Sequence, residues 1–134
     1  MIKPTIDIDK INSVLKHDDI WPRIADKRQK KGDFIPPTEG ITYLFEEGVL
    51  FILHPNGDDL QIHANVVPEF RSKANQAARE ALRYGFVELG YNKIIAKIPE
   101  KYGNVYGFAL KFMKDVGFVD GEHLLELRAE EWDL

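Results

Sequence analysis

Leu60-Gln61-Ile62-His63-Ala64-Asn65-Val66-Val67-Pro68-Glu69-Phe70-Arg71-Ser72-Lys73-Ala74-Asn75-Gln76-Ala77-Ala78-Arg79-Glu80-Ala81-Leu82-Arg83-Tyr84-Gly85-Phe86-Val87-Glu88-Leu89 holds two different periodicities and the turn between them. Leu60 to Val67 reads as a strand, rich in branched side chains and entered from the turn Pro55-Asn56-Gly57-Asp58-Asp59. After Pro68, Ala74, Ala77, Ala78, Ala81, Leu82 and Leu89 trace one helical face, while Arg79, Glu80, Arg83 and Glu88 fall mostly on the other. This predicts a long helix from about Ser72 to Leu89, stopped by Gly90. Alanine on its inner face implies a close approach to whatever it packs on.

Upstream of that segment lie two further strands. Ile41-Thr42-Tyr43-Leu44-Phe45, a Glu46-Glu47-Gly48 turn and Val49-Leu50-Phe51-Ile52-Leu53-His54 form the first two arms of an antiparallel meander that Leu60 to Val67 completes. Nearer the N-terminus, Ile8, Ile11, Val14 and Leu15 recur at helical spacing, with Asp7 or Asp9 placed to cap, which predicts a helix over Asp7 to Lys16. His17 to Ile24 reads as a second, short helical piece in which Pro22 belongs to a first turn or a break. Lys27-Arg28-Gln29-Lys30-Lys31-Gly32 and Pro36-Pro37-Thr38-Glu39-Gly40 are polar and rich in turn formers, so they read as an exposed loop, whose charge could grip an acidic partner. Downstream, Lys93 to Ile98 is a strand ended by Pro99. Val105, Phe108, Ala109, Phe112 and Val116 then give a helix closed by Gly117, with Phe108, Phe112 and Phe118 as core. Asp120-Gly121 is a hairpin signal between Phe118-Val119 and a last strand, His123 to Arg128.

The order is therefore helix, helix, meander, helix, strand, helix and terminal hairpin. A strand-helix-strand unit in the middle implies one parallel pair within a mostly antiparallel sheet, an α/β (α+β) arrangement with helices on both faces. At 134 residues the chain reads as a single domain, 1–134, without repeats or linkers. Its 44% hydrophobic, 30% charged and 11% aromatic content is that of a chain that folds by itself. A formal charge of -4 argues against a broad nucleic-acid or anionic-membrane surface. With no cysteine, disulfides, a thiolate nucleophile and Cys-type zinc sites are excluded. The start lacks an apolar leader core, and Val49 to Leu53 is far below bilayer length, so a cytoplasmic location is expected.

Carried by Val66 to Gln76, by Asn104 and Ala109, and by the Gly117-Phe118 ending, this pattern resembles the GCN5-related N-acetyltransferases, the GNAT superfamily. In that family the strand before the long helix bulges, and an Arg/Gln-x-x-Gly-x-Gly/Ala loop receives the cofactor. The resemblance implies a GNAT fold across nearly the whole chain and transfer of an acetyl group from acetyl-CoA to an amine by direct attack on the thioester. It places the cofactor on Val66, Val67, Arg71, Ser72, Lys73, Ala74, Asn75, Gln76 and Asn104. Ala74 stands where the pattern has its first glycine, Gln76 where it has its second small residue, and Met113 where it has a tyrosine. The detail is also similar to a branch of GNAT-like proteins encoded by tailed phages, with a Pro-Glu-x-Arg-x-Lys turn before an Ala-rich helix. That likeness implies an alternative: an inactive virion or head-assembly accessory protein, found in host cytoplasm or particle, whose partner is another protein.

The residues themselves carry part of that chemistry. Arg71 and Lys73 beside the backbone amides of a helix N-terminus suit a pyrophosphate, and a bulged strand leaves amides at Val66 and Val67 in need of partners. Amide formation needs a base, and His63 is the best candidate because an unperturbed histidine titrates near neutrality; a polar-face strand histidine is the preferred reading of the residue. Glu69 reads as a base acting through water or as a turn residue, and Tyr106, like Tyr102, as a replacement acid or a packing ring. His17, His54, His63 and His123 are scattered without metal-ligand spacing, so no metal is expected.

Overall fold

The computed structural model describes residues 1–25 and 30–132; Lys27, Arg28 and Gln29 of the expected basic loop lie outside the described residues. The elements are β1 (Lys3–Thr5), α1 (Ile8–Leu15), α2 (Trp21–Ile24), β2 (Thr42–Glu46), β3 (Val49–Asn56), β4 (Asp59–Val66), α3 (Ala74–Arg83), β5 (Lys93–Pro99), α4 (Gly103–Ala109), β6 (Lys114–Val119) and β7 (Glu122–Arg128). Seven strands form one sheet in the order β1-β2-β3-β4-β5-β7-β6. β4 and β5 are the parallel pair, with Leu60 opposite Ile94 and Gln61 opposite Ile95. The recorded pairings β1 with β2, β2 with β3, β5 with β7 and β6 with β7 are antiparallel. The mixed, mostly antiparallel sheet expected from the sequence is therefore the observed one.

The chain clusters into two units, Met1–Leu53 with Ala64–Ala81 and His54–His63 with Leu82–Leu134. In the first, α1 begins where Asp7 accepts from the amides of Asp9 and Lys10 at 3.0 and 3.3 Å, a cap worth about 1 kcal/mol. Pro22 occupies the first turn of α2. Ile11, Val14, Leu15, Ile20, Tyr43, Leu50 and Val67 form the core, with Ile8, Phe34, Ile41, Phe45, Ile52 and Phe70 packed on it. Each large aliphatic side chain so buried contributes about 1.5–3 kcal/mol. Gly48, in the β2–β3 turn, sits at φ 77°, and a Cβ there would meet Phe70 Cδ2 at 2.0 Å. Only glycine lets this turn carry the ring.

In the second unit Leu60, Leu82, Ile94 and Leu125 are fully buried. The helix begun by α3 changes to a π turn over Tyr84–Glu88. Gly85 lies in that turn, where a Cβ would come within 2.8 Å of both Ile94 Cδ1 and Leu60 Cδ2. The wider π turn shifts the angular phase of the residues after it; Leu89, expected on the alanine face, is 37% exposed. Gly90 comes next, at φ 74°. Asp120 and Gly121, at φ 53° and 79°, join β6 to β7, the positive-φ pair a two-residue hairpin turn requires.

Three expectations are corrected. A short strand, β1, pairs Lys3, Pro4 and Thr5 with Phe45, Leu44 and Tyr43; three residues are too few to display a period. The helix expected to run to Val116 ends at Ala109, and Lys114 onward is β6, paired with β7. Phe118 is consequently 51% exposed, while Phe108 and Phe112 are half-buried and meet edge to face at 5.5 Å, so the aromatic stripe is not a core.

Candidate functional site

The first unit presents the segment expected to hold a nucleotide. β4 ends at Val66, half-buried, and the chain turns through a 3-10 helix, Pro68–Lys73, directly into α3. Proline suits that first turn, because its φ is already helical and it has no amide to leave unbonded. The Val67 amide donates to the Gly48 carbonyl at 2.8 Å, and the Val67 carbonyl accepts from the Phe70 amide at 2.8 Å. This corrects the expectation that Val67 offers an unpaired amide.

Helical backbone thus starts at Pro68 rather than near Ser72, and the Ala74 amide already donates to the Arg71 carbonyl. The amides beside Arg71 and Lys73 lie inside the helical run, not at its mouth, which corrects the picture of a backbone cradle at that point. What remains for an anion are side chains. Arg71, Ser72, Asn75 and Gln76 are exposed, and Lys73 is half-buried with Nζ 5.2 Å from the Phe70 ring centre. Ala74 is buried, so its methyl group points into the core. Glu69 is exposed, and its Oε2 lies 4.0 Å from His17 Nε2.

The second unit holds two clusters of titratable groups. His54 on β3 and His63 on β4 face each other with Nε2 atoms 2.8 Å apart, their rings stacked at 5.0 Å and 15°. His54 Nδ1 is 3.2 Å from the Pro55 carbonyl oxygen. Burial, and next the charge His54 can carry, push the His63 pKa down to about 4. His63 is therefore neutral at neutral pH. In the same unit, Asn56 donates to the buried Gln61 at 2.9 Å, and Lys93 Nζ lies 3.3 Å from Asp59 and 3.6 Å from Glu126.

The other cluster joins α4 to the hairpin. Tyr106 donates to Asp115 Oδ2 at 2.6 Å and stacks on His123 at 3.9 Å, and Phe118 meets the same imidazole edge-on at 4.9 Å. His123 Nδ1 is 3.2 Å from Asp115 Oδ2, yet it is a buried nitrogen without a hydrogen bond; the contact is close but poorly aligned, hence electrostatic. The hydrogen bond to Asp115 raises the Tyr106 pKa, and the same bond, with that from the Gly117 amide, lowers the Asp115 pKa. The Tyr106 proton is committed to a carboxylate, so the phenol is a poorer acid than the sequence suggests. Asn104 is exposed on α4.

Sequence reasoning missed the partnership of His54 with His63. The signal was present: two residues turn the β3–β4 hairpin between Asn56 and Asp59, and strand alternation puts His54 and His63 on one face. Among the described residues no group of three or more His, Cys, Asp or Glu side chains could hold a metal ion, and no helix is long and apolar enough to cross a membrane.

No protein-family model matches the chain, and no curated protein does. Solved structures do. A probable acetyltransferase of the GNAT family from Chromobacterium violaceum superposes with a TM-score of 0.74 at 16% identity over 99% of this chain and 89% of that one. A chimera of spermidine N-acetyltransferase SpeG from Vibrio cholerae and hSSAT gives 0.70 at 13% over 98% of each. Campylobacter jejuni N-acetyltransferase PseH, in complex with acetyl coenzyme A, gives 0.66 at 12% over 96% of this chain and 98% of that one. At such identities the likeness is one of fold, and the fold is that of the GNAT acetyltransferases.

Proposed function

We propose that the chain is an N-acyltransferase that moves an acetyl group from acetyl-CoA to an amine. The observation carrying this reading is the segment after β4, where Arg71, Ser72, Lys73, Asn75 and Gln76 turn donors outward or to the rim while Ala74 alone turns inward. Two cations among neutral donors suit a diphosphate, and the buried methyl group of Ala74 leaves the surface unobstructed. That the fold neighbour PseH is in complex with acetyl coenzyme A supports the choice of acetyl-CoA as the ligand. Held there, acetyl-CoA supplies an activated acyl group. Val66 flanks the segment, and the backbone of Val67 holds the turn in shape.

His63 is the base. It is neutral at physiological pH and can accept an ammonium proton. Glu69 and Tyr106 take no part in the transfer: the first is exposed beside His17, the second bonded to Asp115. Spermidine, the substrate named for the neighbour SpeG, is the first acceptor to try, followed by other primary amines.

A second reading draws on β6. It is an edge strand with Val116, Phe118 and Val119 exposed by 43%, 51% and 63%, the kind of apolar edge that invites a protein partner. On that reading the chain is a silent GNAT-fold accessory in an assembly such as a phage particle. Calorimetric titration with acetyl-CoA, followed by thiol release in the presence of an amine panel, separates the two. Saturable binding and amine-dependent thiol release support the enzyme; no heat at millimolar acetyl-CoA leaves the accessory role.

A further inference from the structure

The tautomers of the two paired histidines are set by their partners. A carbonyl oxygen only accepts, so the 3.2 Å contact of His54 Nδ1 with Pro55 O requires a proton on Nδ1. Neutral His54 then carries a lone pair on Nε2. The 2.8 Å bond between the two Nε2 atoms therefore needs its proton from His63, which leaves the lone pair of neutral His63 on Nδ1. Among the described residues no hydrogen bond to His63 Nδ1 is found, and that atom is not among the buried nitrogens lacking one.

We infer that His54 and His63 form a proton relay in which His63 Nδ1 takes the proton and His54 takes the charge. This rests on the acyltransferase reading. An ammonium group gives one proton to His63 Nδ1, the His63 Nε2 proton passes along the 2.8 Å bond to His54 Nε2, and His54 becomes the imidazolium. Its two N–H groups then donate to His63 Nε2 and to the Pro55 carbonyl, whose dipole favours the cation. His63 ends neutral, with its proton on Nδ1. Over a turnover, ammonium and thioester give amide, thiol and one proton, which the pair returns to water. Burial holds His63 a weak base by itself; passing the charge to His54 leaves His63 neutral. The charged groups of the same unit pair among themselves, Asp59 with Lys93 and Glu126 with Lys93 and Arg128, and the neutral Asn56 and Gln61 amides bond to one another. His54 is a positioning residue here, acting through His63.

The test uses the full chain with 15N-labelled histidine. Long-range nitrogen–proton spectra at neutral pH are expected to show His54 protonated on Nδ1 and His63 on Nε2. The reverse tautomers overturn the relay. In the variant His54→Gln the amide oxygen accepts the His63 proton but cannot carry a charge. With acetyl-CoA and spermidine, kcat is expected to fall by about tenfold or more, with KM for acetyl-CoA unchanged. The dependence of kcat on the deuterium fraction of the solvent is expected to change from curved, for two protons moving, to linear. Bound acetyl-CoA with turnover that is linear in the wild-type chain overturns the relay alone. Failure to bind acetyl-CoA overturns the acyltransferase reading, and the relay falls with it.

Discussion

In the first unit, the residues that bear chemistry point outward from an apolar support; in the second, they are paired with one another. Arg71, Ser72, Asn75 and Gln76 are exposed after a turn locked by the Phe70 ring over Gly48. His54 bonds to His63 and Tyr106 bonds to Asp115, and His63, Tyr106 and Asp115 have shifted proton affinities. The difference teaches a division of labour. On the acyltransferase reading, outward donors on a helical turn suit an anionic ligand without disturbing the core, whereas proton chemistry needs groups whose affinities their neighbours have moved.

The contrast is broken most severely by Gly48→Ala. The methyl group meets the Phe70 ring at 2.0 Å and the φ of 77° is unfavourable for alanine, so about 3–5 kcal/mol of stability is lost. Chemical denaturation should find that loss independent of pH, because no titrating group is involved.

The second unit should instead respond to acid. The folded pKa of His63, about 4, lies below its unfolded value near 6.5. Between those values the unfolded chain binds the extra proton, so stability present above pH 6.5 falls as pH is lowered and levels off below 4. The loss attributable to His63 is on the order of 3 kcal/mol. Denaturation midpoints across this range, compared with those of His63→Phe, check it: the variant's curve should lack this component.

Smaller effects sharpen the picture. Gly85→Ala places a methyl group 2.8 Å from the tips of Ile94 and Leu60; those tips can shift, so about 1–2 kcal/mol is expected, read as a lowered melting temperature. Asp115→Ala removes the acceptor that raises the Tyr106 pKa. The phenol should then ionise at lower pH in an ultraviolet titration, with Tyr106→Phe identifying its contribution.

Legibility in the sequence tracked the range of the interactions concerned. The Asp7 cap, the Asp120-Gly121 turn and the alanine face of α3 are local, and each was readable from a few neighbouring residues. β6 was not, because Val105 to Val116 fits a helical period and only pairing with β7 makes Lys114–Val119 a strand. Of the site, the residue types in Arg71 to Gln76 were visible, but the start of the helix was not. Pro68 nucleates it early and the Gly48 carbonyl, distant in sequence, takes the Val67 amide. His63 stood out as a candidate base, while its partner needed the hairpin to bring the two imidazoles together.

The central claim is that the donors located after β4 hold acetyl-CoA. It is tested most directly by calorimetric titration of the wild-type chain and of Arg71→Ala/Lys73→Ala with acetyl-CoA. Saturable binding weakened by about tenfold or more in the variant is the expected result, as loss of charged hydrogen bonds implies. Equal affinity in both proteins, or none in either at millimolar acetyl-CoA, would contradict it.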